Sequence, residues 1–106
     1  MDDFTTRNYV FDEAGNPHHE PDLTAWAQWY GTTDRVVQRD QVGEAIISTV
    51  FLGVDHRHVG SGPPILWETM VFGISPNEGD QQRYVSRAEA LAGHVEWVER
   101  ERNGPA

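Results

Sequence analysis

The sequence predicts an α+β fold: a four- to five-stranded, mainly antiparallel sheet (a meander) with a short N-terminal helix and a C-terminal helix packed on one face. Three observations carry this expectation. Two apolar runs, Ile46–Val54 and Ile65–Phe72, are rich in β-branched and aromatic residues and contain no proline, the pattern of paired and largely buried strands. Between them DHRHVGSGPP is polar and rich in Gly and Pro, so it continues neither strand. Near the end, Ser86-Arg87-Ala88-Glu89 matches a capping box and opens a stretch with helical apolar spacing.

Taken in order, residues 1–8 are polar and expected to fray. Tyr9-Val10-Phe11 is a short strand, closed by the turn-rich segment 12–17, and residues 17–21 form extended chain between two prolines. Asp22 is placed to cap a helix over 23–30, with Leu23, Trp26, Ala27 and Tyr30 on its apolar face, Trp29 off that face and Gly31 as its stop. An edge strand over 35–41 pairs with 45–53 as a hairpin around Gly43. The run 65–73 follows the long loop, the ISPNEGD segment (74–80) turns the chain, and 82–85 is a fourth short strand of the sheet. The final helix spans 87–101 with Ala88, Leu91, Val95 and Val98 as its inward stripe, and 102–106 is expected to fray.

At 106 residues the chain suits a single α+β domain with one modest core. It carries a net charge of −9 and no lysine, so duplex nucleic acid is not expected as a partner. The acidic residues are scattered, the pattern of a solubilising surface; a mimic of DNA would need them ranked on one face. Without cysteine there is no disulfide framework, thiolate metal site or thiol nucleophile. The start MDDFTTRNYV has no basic segment followed by an apolar one, and no apolar run is long enough to span a membrane. The expectation is a soluble, intracellular protein.

Few residues carry chemistry. Alternation sets Leu66, Glu68, Met70 and Phe72 on one strand face and Ile65, Trp67, Thr69 and Val71 on the other. Glu68 is thus a carboxylate among apolar side chains, and burial obliges it to find a partner. It is a candidate general acid/base or cation ligand; its structural alternative is a pair with an arginine such as Arg83. Asp55-His56 offers adjacent carboxylate and imidazole, able to hold a divalent metal or orient a base, or simply to cap a loop. His94 lies at the edge of the helical stripe after Gly93, and a glycine within a helix signals close approach by another group. Were the helix to lie across the sheet, His94 would meet Glu68 and His56, with Asp55 nearby. Glu68 and His94 are accordingly the catalytic candidates, and Asp55, His56, Glu68 and His94 the metal candidates. A ligand would be bounded by Asp55, His56, Gly62, Pro63, Trp67, Glu68, Tyr84 and His94. No resident cofactor is predicted, although this donor set suits a divalent metal. No phosphate-binding loop or GxSxG motif is present.

The strings STVFLG (Ser48–Gly53), Asp55-His56, Gly62-Pro63-Pro64, WETMVFG (Trp67–Gly73), Arg83-Tyr84 and Gly93-His94 resemble a family of short proteins of actinobacterial phages and prophages. The resemblance extends over most of the chain, including the segment Pro21–Trp26. It implies a phage setting in the cytoplasm of an infected host, and it transfers no catalytic residue. With the small acidic composition it favours a non-catalytic accessory protein that binds or sequesters a host protein, for example a defence component, or a small ligand. A metal-assisted hydrolase or lyase using Asp55, His56, Glu68 and His94 is the alternative, and a virion-assembly component a third. Unpaired edge strands add a homodimer to the expected partners.

Overall fold

Asp12 organises the first turn. One of its carboxylate oxygens accepts hydrogen bonds from the Ala14 and Asn16 amides, and the other lies 2.7 Å from His18 Nε2. The turn closes a hairpin of β1 (Tyr9–Phe11) and β2 (Pro17–His19). The structure, a computed structural model, describes residues 7–57 and 60–104. Expected fraying of residues 1–6, 105 and 106 therefore lies outside the described residues. Arg7 and Asn8 are held: Arg7 O accepts from the Asp55 amide and Asn8 O from the Glu20 amide.

Asp22 caps α1 (Leu23–Thr32) by accepting from the Thr24 and Ala25 amides, an arrangement worth about 1 kcal/mol. The helix passes through Gly31 and stops at Thr33, because Gly31 has ordinary helical geometry and the Thr33 amide still reaches Trp29 O. The aromatic face is rotated from the expected one. Leu23 is exposed, whereas Trp29 sits edge-on to Phe11 and Phe51, and Trp26 donates its indole N–H to the carbonyls of Tyr9 and Gly53.

Four strands then form an antiparallel meander, β3 (Val36–Val42), β4 (Ala45–Phe51), β5 (Trp67–Gly73) and β6 (Gln81–Tyr84), adjacent in chain order. The β3–β4 connection is Gly43-Glu44, with φ of +60° at Gly43 and no positive φ at Glu44. That is a type II′ turn, whose twist matches paired strands. Last comes α2 (Arg87–Asn103), capped by the Ser86 hydroxyl on the Glu89 amide and packed against all four strands. The α+β class and the helix on one sheet face are as the sequence predicts. No helix of the described residues is long and apolar enough to cross a membrane.

Register decides what the core contains. Across β4 and β5, Ile47 faces Val71, Thr49 faces Thr69 and Phe51 faces Trp67, and all six are buried. The threonine row divides two apolar clusters, Ile47–Val71–Trp97–Val98 on one side and Phe51–Leu66–Trp67–Tyr84–Ala90 on the other. The inward face of α2 differs from the expected stripe. Ala90, Gly93, His94, Trp97 and Val98 are buried, while Ala88 is exposed and Val95 is 55% exposed. Counting apolar residues alone passes over the two that seat the helix. Gly93 receives a phenol, and His94 reaches the threonine row.

Candidate functional site

The threonine row nucleates a buried polar chain. His94 Nδ1 lies 2.7 Å from Thr49 Oγ1, which is 2.5 Å from Thr69 Oγ1; Tyr84 donates its hydroxyl to Thr69 at 3.0 Å. On its other side His94 Nε2 lies 2.8 Å from Asp40 Oδ2 on β3. These contacts satisfy one another in a single direction. Tyr84 donates to Thr69, Thr69 to Thr49, Thr49 to His94 Nδ1, and the Nε2–H to the Asp40 carboxylate. In this order the ring accepts at Nδ1 and donates at Nε2.

Two ionisable groups feel this arrangement. The hydrogen bond to His94, then that from Gln38, holds the Asp40 carboxyl below its ordinary value, with the Arg102 charge adding to the effect. Burial pushes the Tyr84 phenol up. A Cβ on Gly93 would lie 2.3 Å from Tyr84 Oη, so the glycine that draws attention in the sequence makes room for this phenol.

In type, Asp40–His94–Thr49 is a carboxylate–imidazole–hydroxyl series, the order that activates a nucleophile. Here the exposure is reversed. Thr49 is wholly buried under α2 and its oxygen is shared with Thr69, while the carboxylate end faces solvent. A substrate carbonyl has no approach to the hydroxyl.

The residues nominated from the sequence do not converge. Because Thr69 points at α2, its neighbour Glu68 points away, and the sheet stands between Glu68 and His94. Glu68 instead accepts from Arg83 Nε at 2.9 Å, its cross-strand neighbour on β6, so the structural alternative holds for this carboxylate. Asp55 and His56 belong to a third place, the loop after β4. Asp55 Oδ1 accepts from the Arg57 and Ile65 amides, and His56 Nδ1 lies 2.8 Å from Val54 O. Nearby, Pro63 O accepts from Arg57 Nε, and the Arg57 guanidinium lies against Gly62. His58 and Val59 of this loop lie outside the described residues. Trp67 and Tyr84 are core side chains on the α2 side. Among the described residues no three His, Asp or Glu side chains are grouped to hold a metal ion.

Sequence reasoning missed Asp40, Thr49 and Thr69. The available signal was threonine at inward positions of both apolar runs, since a buried hydroxyl requires a partner.

Compared with protein-family models, with curated proteins and with solved structures, the chain matches none.

Proposed function

We propose that this chain is a non-catalytic accessory protein, of phage setting, that binds or sequesters a host protein. The observation that carries the reading is the state of His94. Both ring nitrogens are engaged, one by the fully buried Thr49 and the other by Asp40, so this histidine works as a tie between sheet and helix. Glu68 is tied in the same manner by Arg83. Apolar surface, by contrast, is left open in a groove beside α2, walled by Leu91, Val95 and Val98. Surface of this kind suits protein contact. The string resemblance to phage proteins supports a host-facing role.

The test is affinity capture from an actinobacterial lysate, paired with native mass spectrometry of protein purified without chelator. The expected result is a specific host protein retained at fixed stoichiometry, and retained equally by a His94→Gln variant that remains folded. Metal-dependent turnover lost in that variant would overturn the reading, as would co-sedimentation with virions in place of host protein.

A further inference from the structure

We propose that the groove between the outer edge of β3 and α2 accepts an extended, basic and apolar peptide segment of a partner protein, added to the sheet as a fifth strand. This rests on the binding reading above and names the surface and the kind of occupant.

The edge is the first argument. β3 ends the sheet, and the Gly43-Glu44 turn fixes where its peptide groups point. The pair closing a two-residue turn, Val42 and Ala45, exchanges both hydrogen bonds, so Asp40 and Gln38 also face β4. Arg39 and Gln41 therefore present their N–H and C=O groups outward. The β4–β5 ladder agrees, since Ile74 N donates to Glu44 O and places the alternate residues toward β5. An irregularity between Val36 and Gln38 limits the usable edge to the turn-proximal half of β3.

The groove is the second argument. Its volume is about 320 Å³, and Leu91, Val95 and Val98 of α2 form its apolar wall at positions i, i+4 and i+7. This is the stripe that the sequence reading turned inward. α2 thus has two apolar stripes that share Val98, and the fold buries one. An edge strand beside an apolar helical wall is the geometry in which an added strand gains main-chain bonds from the edge and side-chain pockets from the helix.

Charge selects the occupant. Asp40 and Glu99 line the groove against Arg102, leaving one net negative charge there on a chain of −9. A second copy would bring the same −9. Self-pairing centred on Arg39 or Asp40 sets like charges directly opposite, which destabilises an antiparallel pair, and centring on Gln41 runs the ladder into the Gly43 turn. A segment with valine or leucine at alternate positions and lysine or arginine beside them meets all three features.

The test uses the whole chain and a library of blocked hexapeptides with valine or leucine at alternate positions and lysine, threonine or glutamate at the others. Binding is followed by amide chemical shifts and hydrogen exchange. The lysine set should bind, protect the Arg39 and Gln41 amides, and weaken with salt. Affinity should fall at least tenfold in Gln41→Pro, which removes an outward N–H and no bond to β4, and in Val95→Asn. Should Gln41→Pro fail to fold, peptides N-methylated along the backbone replace it and should lose binding. Glutamate peptides binding as well as lysine peptides, shifts confined to other surfaces, or a peptide-free dimer abolished by Val95→Asn would each overturn the proposal. A captured host protein that is still held by Val95→Asn and Gln41→Pro would discard the groove and keep the binding function; metal-dependent turnover would discard both.

Discussion

Gly93→Ala sets two well-characterised effects against each other. Alanine is the better helix former by about 1 kcal/mol, and Gly93 sits in the middle of α2. Opposing this, the new Cβ would lie 2.3 Å from Tyr84 Oη and 2.4 Å from Cε1, where carbon contacts normally stand near 3.5–4.0 Å. Relief requires Tyr84 to shift by about 1 Å, and it is buried between sheet and helix. Overpacking of this kind costs about 1–3 kcal/mol, and losing the Tyr84–Thr69 hydrogen bond adds about 1 kcal/mol. The net expectation is a loss of about 1–3 kcal/mol, or a fall in Tm of roughly 10 °C for a domain of this size. Urea and thermal melts followed by circular dichroism measure it, with Ala92→Gly at the exposed neighbouring position reporting propensity alone. In a Tyr84→Leu background the Gly93→Ala penalty should drop to less than half. A Gly93→Ala protein as stable as the parent would refute the reasoning.

Three further outcomes are expected. Thr49→Val keeps the volume but strips His94 Nδ1 and the Thr69 hydroxyl of their partner, and should cost about 1–3 kcal/mol in a urea titration; a neutral result would mean the polar chain does not hold the helix. Arg83→Met should destabilise more than Glu68→Gln, because it leaves a nearly buried carboxylate unpaired whereas the second change leaves a half-exposed guanidinium in water; the reverse order in denaturant melts would contradict the pairing. For pH, the Asp40 carboxyl is held below its ordinary value of 3.8 in the folded state, so the stability from its tie to His94 is present above that pH and is lost as pH falls through the folded value. Melts at stepped acid pH should therefore show a shallower decline for Asp40→Asn, and parallel curves would show that this carboxylate is not linked to folding.

The four strands of the meander, β1 and both helices were legible because β-branched runs, turn residues and caps act locally, whereas β2 read only as extended chain and its separate pairing with β1 was not anticipated. Asp22 and Ser86 cap as their residue types predict, and alternation put Trp67, Thr69 and Val71 on the correct common face. What escaped depends on contacts across the chain. The rotation of α2 is set by Gly93 and His94, which look like the weakest members of an apolar stripe until Tyr84 and Thr49 are in place. Trp29 turns inward because Phe11, Phe51 and Trp29 close an aromatic cluster that no single window contains. The candidate site failed for the same reason. Glu68 and His94 were each suspicious alone, and only the register of β5 beneath α2 reveals that the sheet separates them.

The His94 tie joins residues far apart in sequence, 45 positions to Thr49 and 54 to Asp40. During synthesis the hairpin of β3 and β4 is complete well before the helix that covers it exists. At about 5–20 residues per second, the interval between Phe51 and Asn103 leaving the ribosome is roughly 3–10 s. Over that interval Ile47 and Thr49, joined by Thr69 and Val71 once β5 has emerged, face water or a chaperone, hydroxyls and methyls side by side. The threonine row then acts as a solubilising strip on the nascent sheet, since its hydroxyls stay hydrated until His94 arrives to replace that water. A purely aliphatic row would leave His94 Nδ1 and the Tyr84 hydroxyl without partners in the finished protein, and would leave the unfinished one more prone to aggregate.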